Sequence, residues 1–78
     1  MNKTVVFVNG EKYELDSNQV KVGTLIKLGG GNTSEYELQQ RKGEGGPIVH
    51  TYKDPEETIT VKNGTHFITH LIAPVIPA

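Results

Sequence analysis

The dipeptide Asn-Gly occurs near each end of this chain, and each copy lies between two runs with the alternation of strands. Asn-Gly is the strongest short signal for a tight strand turn, because both turn residues must tolerate positive φ. The first copy, Asn9-Gly10, joins Val5-Val6-Phe7-Val8 to Glu11-Lys12-Tyr13-Glu14-Leu15. The second, Asn63-Gly64, joins Thr58-Ile59-Thr60-Val61 to Thr65-His66-Phe67-Ile68-Thr69-His70-Leu71. A two-residue turn at Asn9-Gly10 sets Val8 opposite Glu11, Val6 opposite Tyr13 and Thr4 opposite Leu15. Strand side chains alternate between faces, so Val6, Val8, Tyr13 and Leu15 share one face and Val5, Phe7, Lys12 and Glu14 the other. The first face is the more apolar and is expected in the core. Val5 and Phe7 are then expected to be exposed beside two charges.

Between the two turns the pattern changes period. Asp16-Ser17-Asn18 offers N-cap residues, and Val22, Leu25 and Ile26 recur at helical spacing within a segment running from Val20 to Leu28. Gly29-Gly30-Gly31 stops that helix, since glycine takes the left-handed conformation without steric cost. A helix this short is unstable alone and needs a sheet over its apolar side. Ser34 to Gln40 alternates, with Tyr36 and Leu38 against Glu35, Glu37 and Gln39, and predicts a half-buried strand. Arg41 to Pro47 reads as a mobile loop, Ile48 to Tyr52 as a brief strand and Lys53 to Glu57 as a turn containing Pro55. In the last strand, Ile59, Val61, Phe67, Thr69 and Leu71 keep one parity toward the core, and His66, Ile68 and His70 take the other. Two prolines then end the pattern, predicting a domain over residues 1–71 and an extended tail over residues 72–78. Hairpin, helix and further strands make an α+β chain, read as a β-grasp: a mixed sheet of four to five strands packed on one short helix.

Composition narrows the function. At 78 residues the chain holds one domain, which buries roughly 60–65% of its unfolded surface. It has no cysteine, which removes disulfides and thiolate chemistry and agrees with a reducing compartment. Eight basic residues against nine acidic ones, with no basic run longer than Arg41-Lys42, argue against nucleic acid as a partner. The opening Met1 to Thr4 does not have the form of a secretory signal, and the apolar run Leu71 to Ile76 is far short of the ~20 residues a membrane helix needs. A cytoplasmic protein without a membrane partner is the expectation.

Chemistry-bearing constellations are sparse. His66 and His70 share a strand face and His50 comes from a neighbouring segment, but no carboxylate is expected at a useful register, and solvent-facing histidines are the simpler reading than a metal site. The triple glycine follows a helix, whereas a phosphate-binding loop precedes one. Glu44 within Gly43-Glu44-Gly45-Gly46 would repel phosphate. Ser17 and Ser34 have no histidine close in sequence, so neither a catalytic role nor a cofactor is expected. The tail is the exception: Ile72, Ala73, Pro74, Val75, Ile76, Pro77 and Ala78 carry no charge, and they either fold back along the sheet or fray, or form an extended segment read in another protein's groove.

Val6-Phe7-Val8-Asn9-Gly10-Glu11-Lys12-Tyr13, Val22 to Leu28 with glycines behind it, Tyr36-Glu37-Leu38, Thr58 to Gly64 and Phe67 resemble the bacterial multiubiquitin-type domains. The likeness covers about residues 3 to 71 and rests on short hydrophobic motifs. It implies a ubiquitin-like protein modifier whose C-terminal carboxyl is activated with ATP by an activating-like enzyme, passed on by a conjugating-like enzyme and joined to target proteins by an isopeptide or ester bond. A processing peptidase is a further implied partner, and comparable operons suggest antiviral defence. The chemistry would belong to the partners. Val5, Phe7, Ile68 and His70 form the candidate docking surface, and residues 72–78 the conjugation or processing tail.

One departure matters. Ubiquitin and the sulfur carriers end in Gly-Gly, whereas this sequence ends Val75-Ile76-Pro77-Ala78. Either a peptidase trims the tail, or the partners accept another end, or the domain is a non-conjugated interaction or self-assembly module working through Val5, Phe7 or its strand edges. A sulfur carrier ranks behind both.

Overall fold

The computed structural model describes residues 3–72. In chain order the elements are β1 (Thr4–Val8), β2 (Glu11–Leu15), β3 (Gln19–Lys21), α1 (Val22–Leu28), β4 (Tyr36–Arg41), β5 (Ile48–Tyr52), β6 (Thr58–Thr60) and β7 (Thr65–Leu71). Five strands form one mixed sheet in the order β2-β1-β7-β4-β5, and β3 and β6 form a separate two-stranded sheet. Only β1 and β7 run parallel; the other pairs are antiparallel. A mixed five-stranded sheet with one short helix packed on it is a β-grasp-like α+β fold.

The first hairpin follows from its turn. Asn9 and Gly10 take φ of 54° and 84°, and the register is Thr4↔Leu15, Val6↔Tyr13 and Val8↔Glu11. Val6, Val8 and Leu38 are fully buried, and Val22, Leu25, Ile26, Ile59, Val61 and Phe67 complete the core between sheet and helix. The helix begins at Val22, two residues later than the periodicity predicts, because Gln19–Lys21 pairs as β3 with Thr58–Thr60. Its first amides are satisfied from outside: Val22 N–H donates to the Glu57 carbonyl and Gly23 N–H to the Pro55 carbonyl, each at 2.9 Å. The Pro55 turn therefore takes the place expected of a side-chain cap. Asp16–Asn18 instead turns the chain from β2 to β3, with Ser17 Oγ accepting the Gln19 N–H at 3.1 Å.

At its other end the helix closes in a Schellman arrangement, with Gly31 N–H donating to the Ile26 carbonyl and Gly30 N–H to the Lys27 carbonyl. Gly30 supplies the required positive φ of 89°. The predicted strand after it starts at Tyr36 rather than Ser34. The reason is local: Asn32 Oδ1 accepts both the Ser34 N–H and its hydroxyl, holding that residue in a turn.

The second Asn-Gly does not close a hairpin. β6 pairs with β3, whereas β7 enters the large sheet beside β1. Asn63-Gly64 clasps β1 instead: Val5 N–H donates to Asn63 Oδ1 at 2.8 Å and Gly64 N–H to the Val5 carbonyl at 2.8 Å. Leu71, expected in the core by parity, is 46% exposed. It pairs with Tyr36 at the last register position of β4 and β7, beyond the buried cluster centred on Phe67 and Leu38. Parity fixes the face of a side chain but not how far the helical layer reaches along the strand.

Candidate interaction face and chain exit

The register brings a defined set of side chains to the sheet face opposite α1. Lys12, Phe7, His66 and Arg41 lie side by side across four strands, because Phe7 pairs with both Lys12 and His66, and His66 pairs with Arg41. Ile68, Gln39 and Thr51 make the next row, and His70 and Glu37 a third. Of the four positions singled out from sequence, Phe7, Ile68 and His70 thus fall in adjoining rows, and Val5 lies one step along β1 beside the Asn63-Gly64 clasp.

Phe7 is half-buried, not exposed. Its ring stacks on His66 with centroids 4.6 Å apart and planes 7° from parallel, a contact created by the parallel pairing of β1 and β7. Aromatic pairs of this kind contribute about 0.5–1.5 kcal/mol beyond the area they bury. Val5 and Ile68 are also half-buried. The face is therefore a shallow apolar strip bordered by Lys12, Arg41 and the His70–Glu37 pair.

The expectation that no carboxylate stands beside the histidines does not hold. Glu37 comes from the facing strand, and its Oε2 lies 3.3 Å from His70 Nδ1. The Gln39 amide reaches the same oxygen at 3.5 Å. His50 is not part of this group: it pairs with Gln40, on the face that carries Leu38, and its ring lies 4.2 Å from that of Tyr52. Among the described residues no three histidines and carboxylates gather as metal ligands would. No cavity opens among the described residues either.

Arg41 borders the strip at its β5 side. Its Nη1 donates to the Gly46 carbonyl at 3.2 Å, tying the β4–β5 turn down, while its Nε is buried without a partner. Parity already put His66 and Glu37 on the outer side without assigning them to this surface, and Arg41, read from sequence as the start of a loop, is the last residue of β4 and shares that side.

Two tyrosines brace the opposite face. The Tyr13 hydroxyl donates to the Leu28 carbonyl at 2.8 Å and lies 3.1 Å from Glu11 Oε2, linking β2 to the end of the helix. Burial, the hydrogen bond to Glu11 and then that carboxylate's charge push the Tyr13 hydroxyl above its ordinary pKa. Tyr52 is pushed the same way by burial and, less, by the charge of Glu57.

The chain leaves the sheet at the end of β7, its middle strand. Ile72 is 44% exposed, yet its N–H donates to the Glu35 carbonyl at 2.8 Å, so the tail's first residue is still held to the body. Ala73, Pro74, Val75, Ile76, Pro77 and Ala78 lie outside the described residues. Among the described residues no helix is long and apolar enough to cross a membrane. No protein-family model matches the chain, and no curated protein or solved structure matches it.

Proposed function

We propose that this protein is a ubiquitin-like modifier of the bacterial multiubiquitin type, presented to activating-like and conjugating-like enzymes by the sheet face around Phe7 and joined to target proteins through its C-terminus. The observation that carries the reading is the strand order β2-β1-β7-β4-β5 with β1 parallel to β7, the topology that the resemblance implies. In it the final strand is central, paired with β1 as far as Phe67 and with β4 as far as Leu71, and the chain emerges at exposed Ile72. The body then serves as a handle and the tail as the reacting end. Activation would join the C-terminal carboxyl to AMP with loss of pyrophosphate from ATP. A partner-enzyme nucleophile would displace AMP to give an acyl-enzyme, and the target nucleophile would then displace that enzyme. A processing peptidase is a further partner in this reading.

The test is mass spectrometry of cells that make the protein together with its activating, conjugating and peptidase partners. Target peptides bearing its C-terminal residues are expected. Protein that stays free and uncleaved with those partners present would overturn the reading.

The apolar strip of Val5, Phe7 and Ile68 beside His70 favours a second reading, a non-conjugated interaction module docking through those four residues. Loss of partner capture in Phe7→Glu, with no covalent product in cells, would support it. Covalent products that are unaffected by Phe7→Glu would count against it.

A further inference from the structure

We propose that Asn9 and Asn63 are spontaneous deamidation sites held shut by the fold, each by its own clasp, so that opening of the chain is recorded as an irreversible covalent change. Asn-Gly is the pair in which this chemistry is easiest, because glycine has no Cβ and its backbone nitrogen reaches the preceding side-chain amide unobstructed. That nitrogen bonds to the asparagine Cγ and passes its proton to solvent. The Cγ–Nδ2 bond breaks, and the amide nitrogen takes up a proton and leaves as ammonia. Water then opens the cyclic imide at either carbonyl, giving aspartate or isoaspartate. Asn9 and Asn63 are both exposed, so solvent reaches them.

The structure engages the reacting groups of the two pairs in different ways. At Asn63-Gly64 both groups are taken by Val5: its N–H donates to Asn63 Oδ1 and its carbonyl accepts the Gly64 N–H, each at 2.8 Å. The attacking nitrogen is committed to a hydrogen bond, and attack requires β1 to part from the clasp. At Asn9-Gly10 the nitrogen is free, since among the described residues the Gly10 N–H has no backbone acceptor. Protection there rests on the Asn9 side chain. Its Oδ1 accepts the Thr69 N–H at 3.0 Å, and its Nδ2 donates to Thr69 Oγ1 at 2.9 Å and to the Gly29 carbonyl at 3.4 Å. Cγ can turn toward the Gly10 nitrogen only by releasing those bonds.

The products do not restore what the reactants held. Aspartate at position 9 has no Nδ2–H to donate and sets a charged oxygen toward the Gly29 carbonyl. Isoaspartate carries the main chain through an added methylene. At position 9 that lengthens the tight turn on which the register from Thr4↔Leu15 to Val8↔Glu11 depends. At position 63 it shifts the Gly64 N–H away from the Val5 carbonyl. Local openings cost less than global unfolding, so both sites are reached from the native state. Each opening that lasts long enough to react makes the next closure weaker. This inference stands whether or not the chain is conjugated.

The test incubates the full chain at neutral pH, folded or unfolded in urea, and reads the tryptic peptides Thr4–Lys12 and Asn63–Ala78 by mass spectrometry for exchange of amide for acid. Both sites should convert in the unfolded chain. In the folded chain each should convert at least about tenfold more slowly, because attack waits on an opening. Thr69→Val nearly keeps the shape of the side chain and removes the hydroxyl that accepts from Asn9 Nδ2. It should quicken Asn9 by about fivefold, the weight of one hydrogen bond, and leave Asn63 at its wild-type rate. Folded and unfolded wild type converting at the same rate overturns the proposal, as does an unfolded chain in which neither site converts. So does a folded Thr69→Val in which Asn9 is unchanged, or in which Asn63 quickens as much as Asn9.

Discussion

The side chain of Asn9 pairs with Thr69 as a strand backbone would: Oδ1 accepts the Thr69 N–H at 3.0 Å, and Nδ2 donates to Thr69 Oγ1 at 2.9 Å. The parallel ladder of β1 and β7 runs from Val6↔Thr65 to Val8↔Phe67, and the Asn9 N–H still donates to the Phe67 carbonyl. There the main chain must turn into the hairpin, and the side chain carries the ladder one step further. A single residue thus meets two demands, since Asn9 also holds φ of 54°, which asparagine tolerates better than most. Asn9→Ala loses both bonds and strains the turn, with an expected cost of about 2–3 kcal/mol; Asn9→Gly keeps the turn and should cost only about 1–2 kcal/mol. Urea unfolding of the two variants measures the difference. Equal losses would show that the turn's conformation contributes nothing.

Gly29 stands where three elements meet. A Cβ there would lie 2.9 Å from Asn9 Nδ2, 2.9 Å from Thr69 Cγ2 and 3.1 Å from Val8 Cγ1. Its φ of −78° suits any residue, so the penalty in Gly29→Ala is packing alone, about 1–3 kcal/mol. Because one of the obstructing atoms belongs to Asn9, the double variant Asn9→Gly/Gly29→Ala should cost less than the sum of its parts. A double-mutant cycle with no coupling would mean that Asn9 is not the group that must give way.

The pattern of what the sequence makes legible is physical. Every pair in the first hairpin is readable because a two-residue turn determines the register from local chemistry, and Val6, Val8, Leu25, Ile26, Leu38 and Phe67 are buried as their parity or spacing implies. β3 is hidden because Gln19-Val20-Lys21 has one apolar residue, and its partner strand, Thr58–Thr60, is distant in the chain. Asn63-Gly64 signals a turn and nothing about which strands it serves, so its strands going to different sheets is invisible locally. For the candidate face, parity puts Phe7, Ile68 and His70 on the outer side, but the ring that covers Phe7 depends on a parallel pairing between opposite ends of the chain.

Phe67 is 1% exposed at the centre of the sheet, flanked by Val8 of β1 and Gln40 of β4. Phe67→Ala removes a full aromatic side chain from a small core, and a loss of about 3–5 kcal/mol is expected in equilibrium urea unfolding. That is a large share of the stability a domain of this size holds, so the variant should be partly unfolded at room temperature. A loss below about 1 kcal/mol would mean that the core relaxes into the space, contrary to its close packing.

Alkaline pH should weaken the fold through two hydroxyls. Tyr13 and Tyr52 are held above their ordinary value near 10.0, by burial first and by neighbouring carboxylates second. The unfolded chain therefore gives up these protons at lower pH than the folded one. Their contribution to stability is fully present below about pH 10 and is lost as pH rises through the folded values. For Tyr13 the lost proton is also the one donated to the Leu28 carbonyl, so ionisation frees β2 from the end of the helix. Lysines titrate in the same range, and the comparison that isolates the tyrosines is wild type against Tyr13→Phe/Tyr52→Phe, each unfolded in urea between about pH 8 and about pH 11. The wild-type curve should fall more steeply above about pH 10 than that of the double variant. Parallel curves would place the alkaline loss on other groups.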